Sequence, residues 1–362
     1  MADANSGHGP HAPPLLRDII RAARRPTWRV VFDWTLAVAG IGIAVWRLAP
    51  TIASIRQPAA DLARLHWVWL ALAAPAAFGG LMLYGELHRQ LLCAGGARLT
   101  VGAVQAVNFV GNAITLTVPS AGVTAGAAYA VAAYRNRGVD TGLALWAVTT
   151  AAVVSGLELV AAGPITLAAD GLLPVAGAAA LSGAIVVGAV ALGWALRRPG
   201  SVRAILRMTS AVARRLPVLR TAKWVRTGVD GLSDRIALLR PTASTWLRVF
   251  GVALLSWLVD YTALAACVLA VTGDPRHLPL ASVGVGYLAV QASIGLQLTP
   301  AGAGAADSGL LAALIAGGLA DPAAAVAVVL YRVLAWPVLA ASGWLVLATT
   351  ARLRRPAHRP TA

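Results

Sequence analysis

Two stretches decide how this chain is read: Leu116-Thr117-Val118-Pro119-Ser120-Ala121-Gly122 and Leu298-Thr299-Pro300-Ala301-Gly302-Ala303-Gly304. Each breaks an apolar run and leads into a helical run of small residues. In hydrocarbon an unpaired backbone group is costly, so a Pro/Gly break survives only where protein or a water-filled cavity satisfies it. A matched pair of such breaks, at corresponding places in two halves of a chain, points to a transporter-type binding site.

The composition places both breaks in a membrane. Hydrophobic residues make up 58% of the chain and charged residues 12%, with a mean hydropathy of +0.73. That is far more apolar than a soluble domain. The net charge of +16 would suggest nucleic acid in a soluble protein. Here the arginines fall between apolar segments, where topology and anionic headgroups account for them, and no nucleic-acid reader motif accompanies them. Cys93 and Cys267 lie in separate segments and form no disulfide framework. The six histidines have no metal-ligand spacing, and the H-E-x-x-H, G-x-S-x-G and P-loop signatures are absent, so neither a metal, a cofactor nor a catalytic role is expected.

The apolar runs are Val30–Leu48, Trp67–Gly85, Val101–Val118, Gly122–Tyr134, Gly142–Ala162, Pro174–Leu196, Trp246–Val271, Leu280–Leu298, Ala305–Gly317 and Ala323–Ala348. Most reach the roughly 20 residues that a spanning helix needs. Gly122–Tyr134 and Ala305–Gly317 are too short, and each reads as the returning arm of a re-entrant hairpin. Six crossings and two hairpins result. The expected fold is all-α, a polytopic membrane helical bundle.

The arginines give a single consistent threading. Arg17–Arg29, Arg89 with Arg98, Arg135 with Arg137, the run Arg197–Arg248 and Arg352–Arg359 face the cytosol, as do both termini. The first hairpin then opens to the cytosol and the second opens outward, which gives two inverted repeats at 30–162 and 174–348. The second carries a basic insertion at 197–245, read as an amphipathic segment on anionic lipid or as a solvated positive loop. Residues 1–29 form a polar tail ending in a basic amphipathic stretch, Leu15–Arg25, and 349–362 form a second basic tail.

Few residues carry charge within the membrane, where each charged side chain needs a partner or a cavity. Arg332 lies about nine residues into its apolar run, roughly 14 Å deep. Asp307 or Asp260 could neutralise it. Two readings stand open, a structural buried ion pair and an arginine that grips a lipid phosphate, with an acid holding it when the site is empty. Helix starts near Gly122 and Gly304 would aim backbone N–H groups at an anionic headgroup, with Thr124 and Ser308 adding hydroxyls. Close helix packing through Gly122 and Gly126 is the competing explanation. Asn108, Asn112, Thr115, Ser293 and Gln297 concentrate in the arms before the breaks and could line a cavity. Asp33 and Glu86 lie near interfaces, and Glu158 about one turn from the outer end, where each could snorkel. The tryptophans are read mostly as interfacial anchors.

The run from Arg89 through Gly138, with its Leu-Thr-Val-Pro break and closing Tyr134-Arg135-Asn136-Arg137-Gly138, resembles the first signature of the lysylphosphatidylglycerol synthase transmembrane, or flippase-like, family. Pro300-x-Gly302-x-Gly304-x-x-Asp307, followed by Tyr331-Arg332, resembles its second. The family includes the membrane domain of the multiple peptide resistance factor, implicated in moving aminoacylated phosphatidylglycerol to the outer leaflet. Two departures stand out. Asp307 occupies a position that is usually Glu, and Ala301 stands at an expected Gly. The sequence stops at Ala362 with no soluble aminoacyl-transfer domain, so lipid synthesis is not expected.

The resemblance implies a non-enzymatic transporter of an anionic or aminoacylated phospholipid in the cell membrane. A separate lipid-modifying enzyme or a second copy of the chain would be its protein partners. A lipid-linked glycosyl or headgroup transferase and a membrane scaffold are the alternatives.

Overall fold

The computed structural model describes residues 65–119, 121–196, 242–275, 278–296 and 299–353. The expected span Val30–Leu48, the first tail with its amphipathic stretch 15–25, the second tail beyond Leu353, most of the insertion 197–245 and the candidate Gln297 lie outside the described residues, and the helix of the last span runs five residues into the expected second tail.

All regular structure among the described residues is helical. In chain order the helices are α1 (Trp67–Ala94), α2 (Val101–Thr117), α3 (Gly122–Arg135), α4 (Thr141–Ala169), α5 (Val175–Leu196), α6 (Ala243–Thr272), α7 (Leu280–Leu296), α8 (Ala305–Ala316), α9 (Asp321–Val333) and α10 (Leu339–Leu353). A 3₁₀ turn, Pro300–Gly302, lies between α7 and α8, and a π-helical turn, Leu334–Val338, joins α9 to α10. Helices α1, α4, α6 and the joined α9–α10 are long and apolar enough to cross a membrane. The protein is a multi-pass membrane protein. Apolar side chains exposed on the outside of the bundle, among them Val68, Val153, Val160, Leu247 and Leu345, suit a surface that meets lipid rather than water.

Polar anchors and small residues set the packing. Helices α1 and α6 run antiparallel: the His66 N–H donates to the Ala270 carbonyl at one end (2.8 Å), and Ser256 Oγ donates to the Gly80 carbonyl at the middle (2.8 Å). Gly80 permits this approach, since a Cβ there would come within 3.0 Å of Asp260 Cβ. Capping residues start the other long helices. Thr100 Oγ1 accepts from the Ala103 N–H, the Asp140 carboxylate from the Gly142 and Leu143 N–H groups, and Thr242 Oγ1 from the Thr245 N–H.

The two broken stretches form antiparallel helical pairs. Helix α2 ends at Thr117, where Val118 turns to an extended conformation before Pro119. Helix α3 then returns along α2, with Gly122 and Gly126 against the backbone of Thr115 and Gly111. Helices α7 and α8 pair in the same manner, Gly309 facing Ala289 and Gly286 facing Leu310. Small residues at such contacts let helix backbones approach closely.

Two sequence boundaries shift. Helix α4 continues through Pro164 to Ala169 instead of ending at Ala162. A proline inside a membrane helix frees one carbonyl and need not end the helix. Glu158 is therefore eleven residues from the helix end, about three turns and not one. The expected loop Gly163–Leu173 is mostly helix, and Asp170, at its end, accepts from Ser282 Oγ at 2.6 Å.

Candidate functional site

The site is built where the two breaks meet. After α7 the chain makes the turn Pro300–Gly302 and then reverses hand repeatedly: Ala301 has φ 50°, Gly302 φ 69° and Gly304 φ 88°. Ala301 is the one non-glycine residue with positive φ among those described, a conformation costing an L-residue roughly 1–2 kcal/mol. Thr299 Oγ1 steadies the turn by donating to the Ala303 carbonyl at 2.8 Å. The twist leaves the Ala301 carbonyl facing α9, where Arg332 Nη2 donates to it at 2.8 Å. The expected Gly at position 301 thus has a conformational reason.

Asp307, the third residue of α8, does two things. Its Oδ2 accepts from the Gly304 N–H at 2.8 Å, capping the helix start, and its Oδ1 lies 2.6 Å from Arg332 Nε. Nε nonetheless makes no aligned hydrogen bond, so the pair is an ion contact and not a linear charge-assisted bond. Arg332 is 7% exposed and Asp307 9%, so the interaction is little screened by water. The guanidinium sits 5.5 Å from the centre of the Trp336 ring, within cation–π range. Trp336 Nε1 in turn donates to the Leu116 carbonyl at 3.2 Å, at the end of α2. Leu116 and Ala301 share one small apolar cluster with Leu339 and Ala340. Arg332 and Trp336, one helical turn apart, therefore tie the first break to the second.

Two donors near this junction have no partner among the described residues: Arg332 Nη1 and Asn112 Nδ2, both buried. Asn112 lies one turn before Leu116 on α2. Most buried polar atoms find partners, which makes these two donors candidate ligand contacts.

The other candidates are distributed as follows. Ser308 Oγ donates to the Gly304 carbonyl within its own helix turn, 2.7 Å away. Gly122 is buried against Thr115, and Thr124 is exposed two residues further into α3. Thr115 Oγ1 donates to the Gly111 and Gly122 carbonyls, Ser293 Oγ to that of Ala289, and Asn108 Nδ2 to that of Leu81. Asp260 does not join Arg332. Its Oδ2 accepts from Tyr287 Oη at 2.7 Å and Gln291 Nε2 at 3.2 Å. Sequence reading missed Trp336, Tyr287 and Gln291. Trp336 carried a signal, since it stands four residues after Arg332 in mid-segment and not at a span end.

The class is that of a multi-pass membrane protein with a buried arginine–aspartate pair at the junction of two broken helical pairs. The family model of the lysylphosphatidylglycerol synthase transmembrane region matches residues 34–343, and the chain belongs to that family. No curated protein matches the chain. The match supports a lipid-related role in the membrane.

Proposed function

We propose that the protein is a flippase-like transporter that moves an anionic or aminoacylated phospholipid between the leaflets of the cell membrane, with both termini in the cytosol and without catalysing lipid synthesis. The observation carrying this reading is the free Arg332 Nη1 beside an occupied Nε and Nη2. A guanidinium already positioned by a carboxylate and a carbonyl keeps one donor for a phosphate oxygen, and Arg suits phosphate because its fork presents several N–H groups in a plane.

In this reading Asp307 stands in for the headgroup when the site is empty. The α8 start, which would favour any anion, holds the Asp307 carboxylate through the Gly304 N–H. An arriving phosphate competes for Arg332 and leaves Asp307 to cap the helix. Asn112 offers a second donor from the first hairpin, so a bound headgroup would touch both halves, and Ser308, Gly122 and Thr124 are assigned as its further contacts. The halves act as inverted repeats that rock about the junction and open it to either leaflet in turn. A separate enzyme would supply the aminoacylated lipid.

Reconstitution into liposomes tests this. Wild type should speed access of a fluorescent phosphatidylglycerol to a membrane-impermeant quencher, and Arg332→Ala should abolish the gain. Equal rates from both would remove Arg332 from the mechanism.

A further inference from the structure

Apart from the Arg332 site, two part-buried carboxyl groups within the described helices have no cation beside them among the described residues. Asp260, on α6, takes both of its donors, Tyr287 Oη and Gln291 Nε2, on Oδ2. No donor among the described residues reaches Oδ1. Both donors are uncharged, and no cation among the described residues pairs with either oxygen. Glu158, on α4, has a buried Oε2 without a partner.

The two acids lie on neighbouring helices. Trp257 Nε1 donates to the Ser155 carbonyl at 3.0 Å. Both helices run toward the start of α7: Asp170 of α4 meets Ser282, and Tyr261 Oη of α6 donates to the Leu280 carbonyl. Asp260 and Glu158 each lie about one turn beyond the Trp257–Ser155 contact, toward that same end.

Among the described residues, the groups facing Asp260 are uncharged. Helix α7 offers Tyr287 and Gln291, and α1 offers the backbone of Gly80. From α9, Tyr331 lies within electrostatic reach of both Asp260 and Arg332. Glu158 is the ionisable group from α4. The guanidinium of Arg332 is engaged with Asp307, Ala301 and Trp336. Carboxyl groups kept in a membrane interior without a cation are characteristic of proton relays in pumps and transporters.

We propose that lipid translocation is coupled to proton movement, with Asp260 as the side chain that takes a proton from one face of the membrane and releases it to the other. This rests on the translocation reading above. Protonation leaves Asp260 neutral with Oδ1 as a donor. Release restores a carboxylate that Tyr287 and Gln291 alone stabilise, and the energetic difference between the two states is what a gradient can drive.

The test uses the full chain in liposomes containing fluorescent phosphatidylglycerol, with a pH gradient imposed in either direction. The leaflet ratio in wild type should depart from its ungraded value, by up to roughly tenfold per pH unit if one proton moves per lipid, and should invert when the gradient is inverted. In Asp260→Asn the ratio should ignore the gradient whatever the absolute rate, and Asp260→Glu should restore part of the response.

Wild type that moves lipid indifferently to the gradient overturns the coupling and leaves translocation standing. Wild type that moves no lipid under any gradient overturns both. Should Asp260→Asn fail to fold, Tyr287→Phe keeps the carboxyl but removes one donor. It should shift the pH at which the gradient response is half-maximal, and an unshifted profile overturns the proposal. Infrared difference spectra give a readout independent of lipid: wild type should show a pH-sensitive band of a protonated carboxyl, and its absence rejects Asp260 as the carrier.

Discussion

Arg332 Nη2 donates, at 2.8 Å, to the carbonyl of Ala301, the one described non-glycine residue in a left-handed conformation. A buried cation is thus held by the peptide whose orientation the strained turn creates. Strain that persists at one residue is over-determined by its surroundings and concentrates at functional sites. Here the surroundings are the guanidinium, Thr299 and the apolar contact with Leu116.

Ala301→Gly tests that strain. Glycine adopts φ 50° without the Cβ clash but loses more backbone entropy on folding, so the net gain should be about 0.5–1 kcal/mol. Thermal unfolding of the detergent-solubilised protein should show a modest rise in midpoint. A fall would mean that the turn draws stability from the Ala301 methyl.

Breaking the ion pair should be expensive. Asp307→Ala leaves Arg332 buried without its carboxylate and should cost about 3–5 kcal/mol. Adding Arg332→Met removes the stranded charge, so the double variant should be more stable than Asp307→Ala alone. Denaturant titration of Asp307→Ala, Arg332→Met and the double variant reads this directly. Additive losses would mean that the 2.6 Å contact contributes little.

The hairpin contact of α2 with α3 gives a third expectation. A Cβ at Gly126 would lie 2.6 Å from the Gly111 carbonyl oxygen and would also overlap Thr115 Oγ1. Gly126→Ala should therefore destabilise by about 1–3 kcal/mol. Gly156→Ala, in a helix where a Cβ meets nothing within 4 Å, should gain up to about 1 kcal/mol from helix propensity. Comparing the two melting midpoints checks whether the short pair is held by backbone proximity.

Much of this architecture was legible in the chain. The apolar runs that fall within the described residues became helices at nearly the expected places, because in a membrane every backbone group must be satisfied within its own segment. The breaks at Pro119 and Pro300 showed through Pro and Gly, whose backbone restrictions are local. Asp307 and Arg332 stood out because charge is rare in such segments. Other features depended on partners distant in sequence. Nothing local told that Arg332 would choose Asp307 over Asp260, since Tyr287 and Gln291 had first to arrive at Asp260 from α7. The acceptors on Ala301 and Leu116 are backbone carbonyls, which every residue has. Pro164 misled because a proline breaks a soluble helix more readily than one supported by neighbours in a membrane.

Trp336→Phe keeps a ring beside Arg332 and removes the hydrogen bond to the Leu116 carbonyl. The net loss should be about 0.5–1.5 kcal/mol. Hydrogen exchange should rise at the end of α2 and in the Pro300–Gly302 turn together. A rise confined to α9 would show that Trp336 does not tie the two breaks.

The central claim is that the two broken hairpins meet at a junction that must part for lipid to pass. Leu116→Cys with Ala301→Cys, in a background with Cys93 and Cys267 replaced, tests it most directly when a short thiol cross-linker is added to the protein in liposomes. Cross-linking should form readily, arrest phospholipid translocation and be reversed by reductant with recovery of transport. Failure to cross-link, or transport that continues unchanged in the cross-linked protein, would contradict the account.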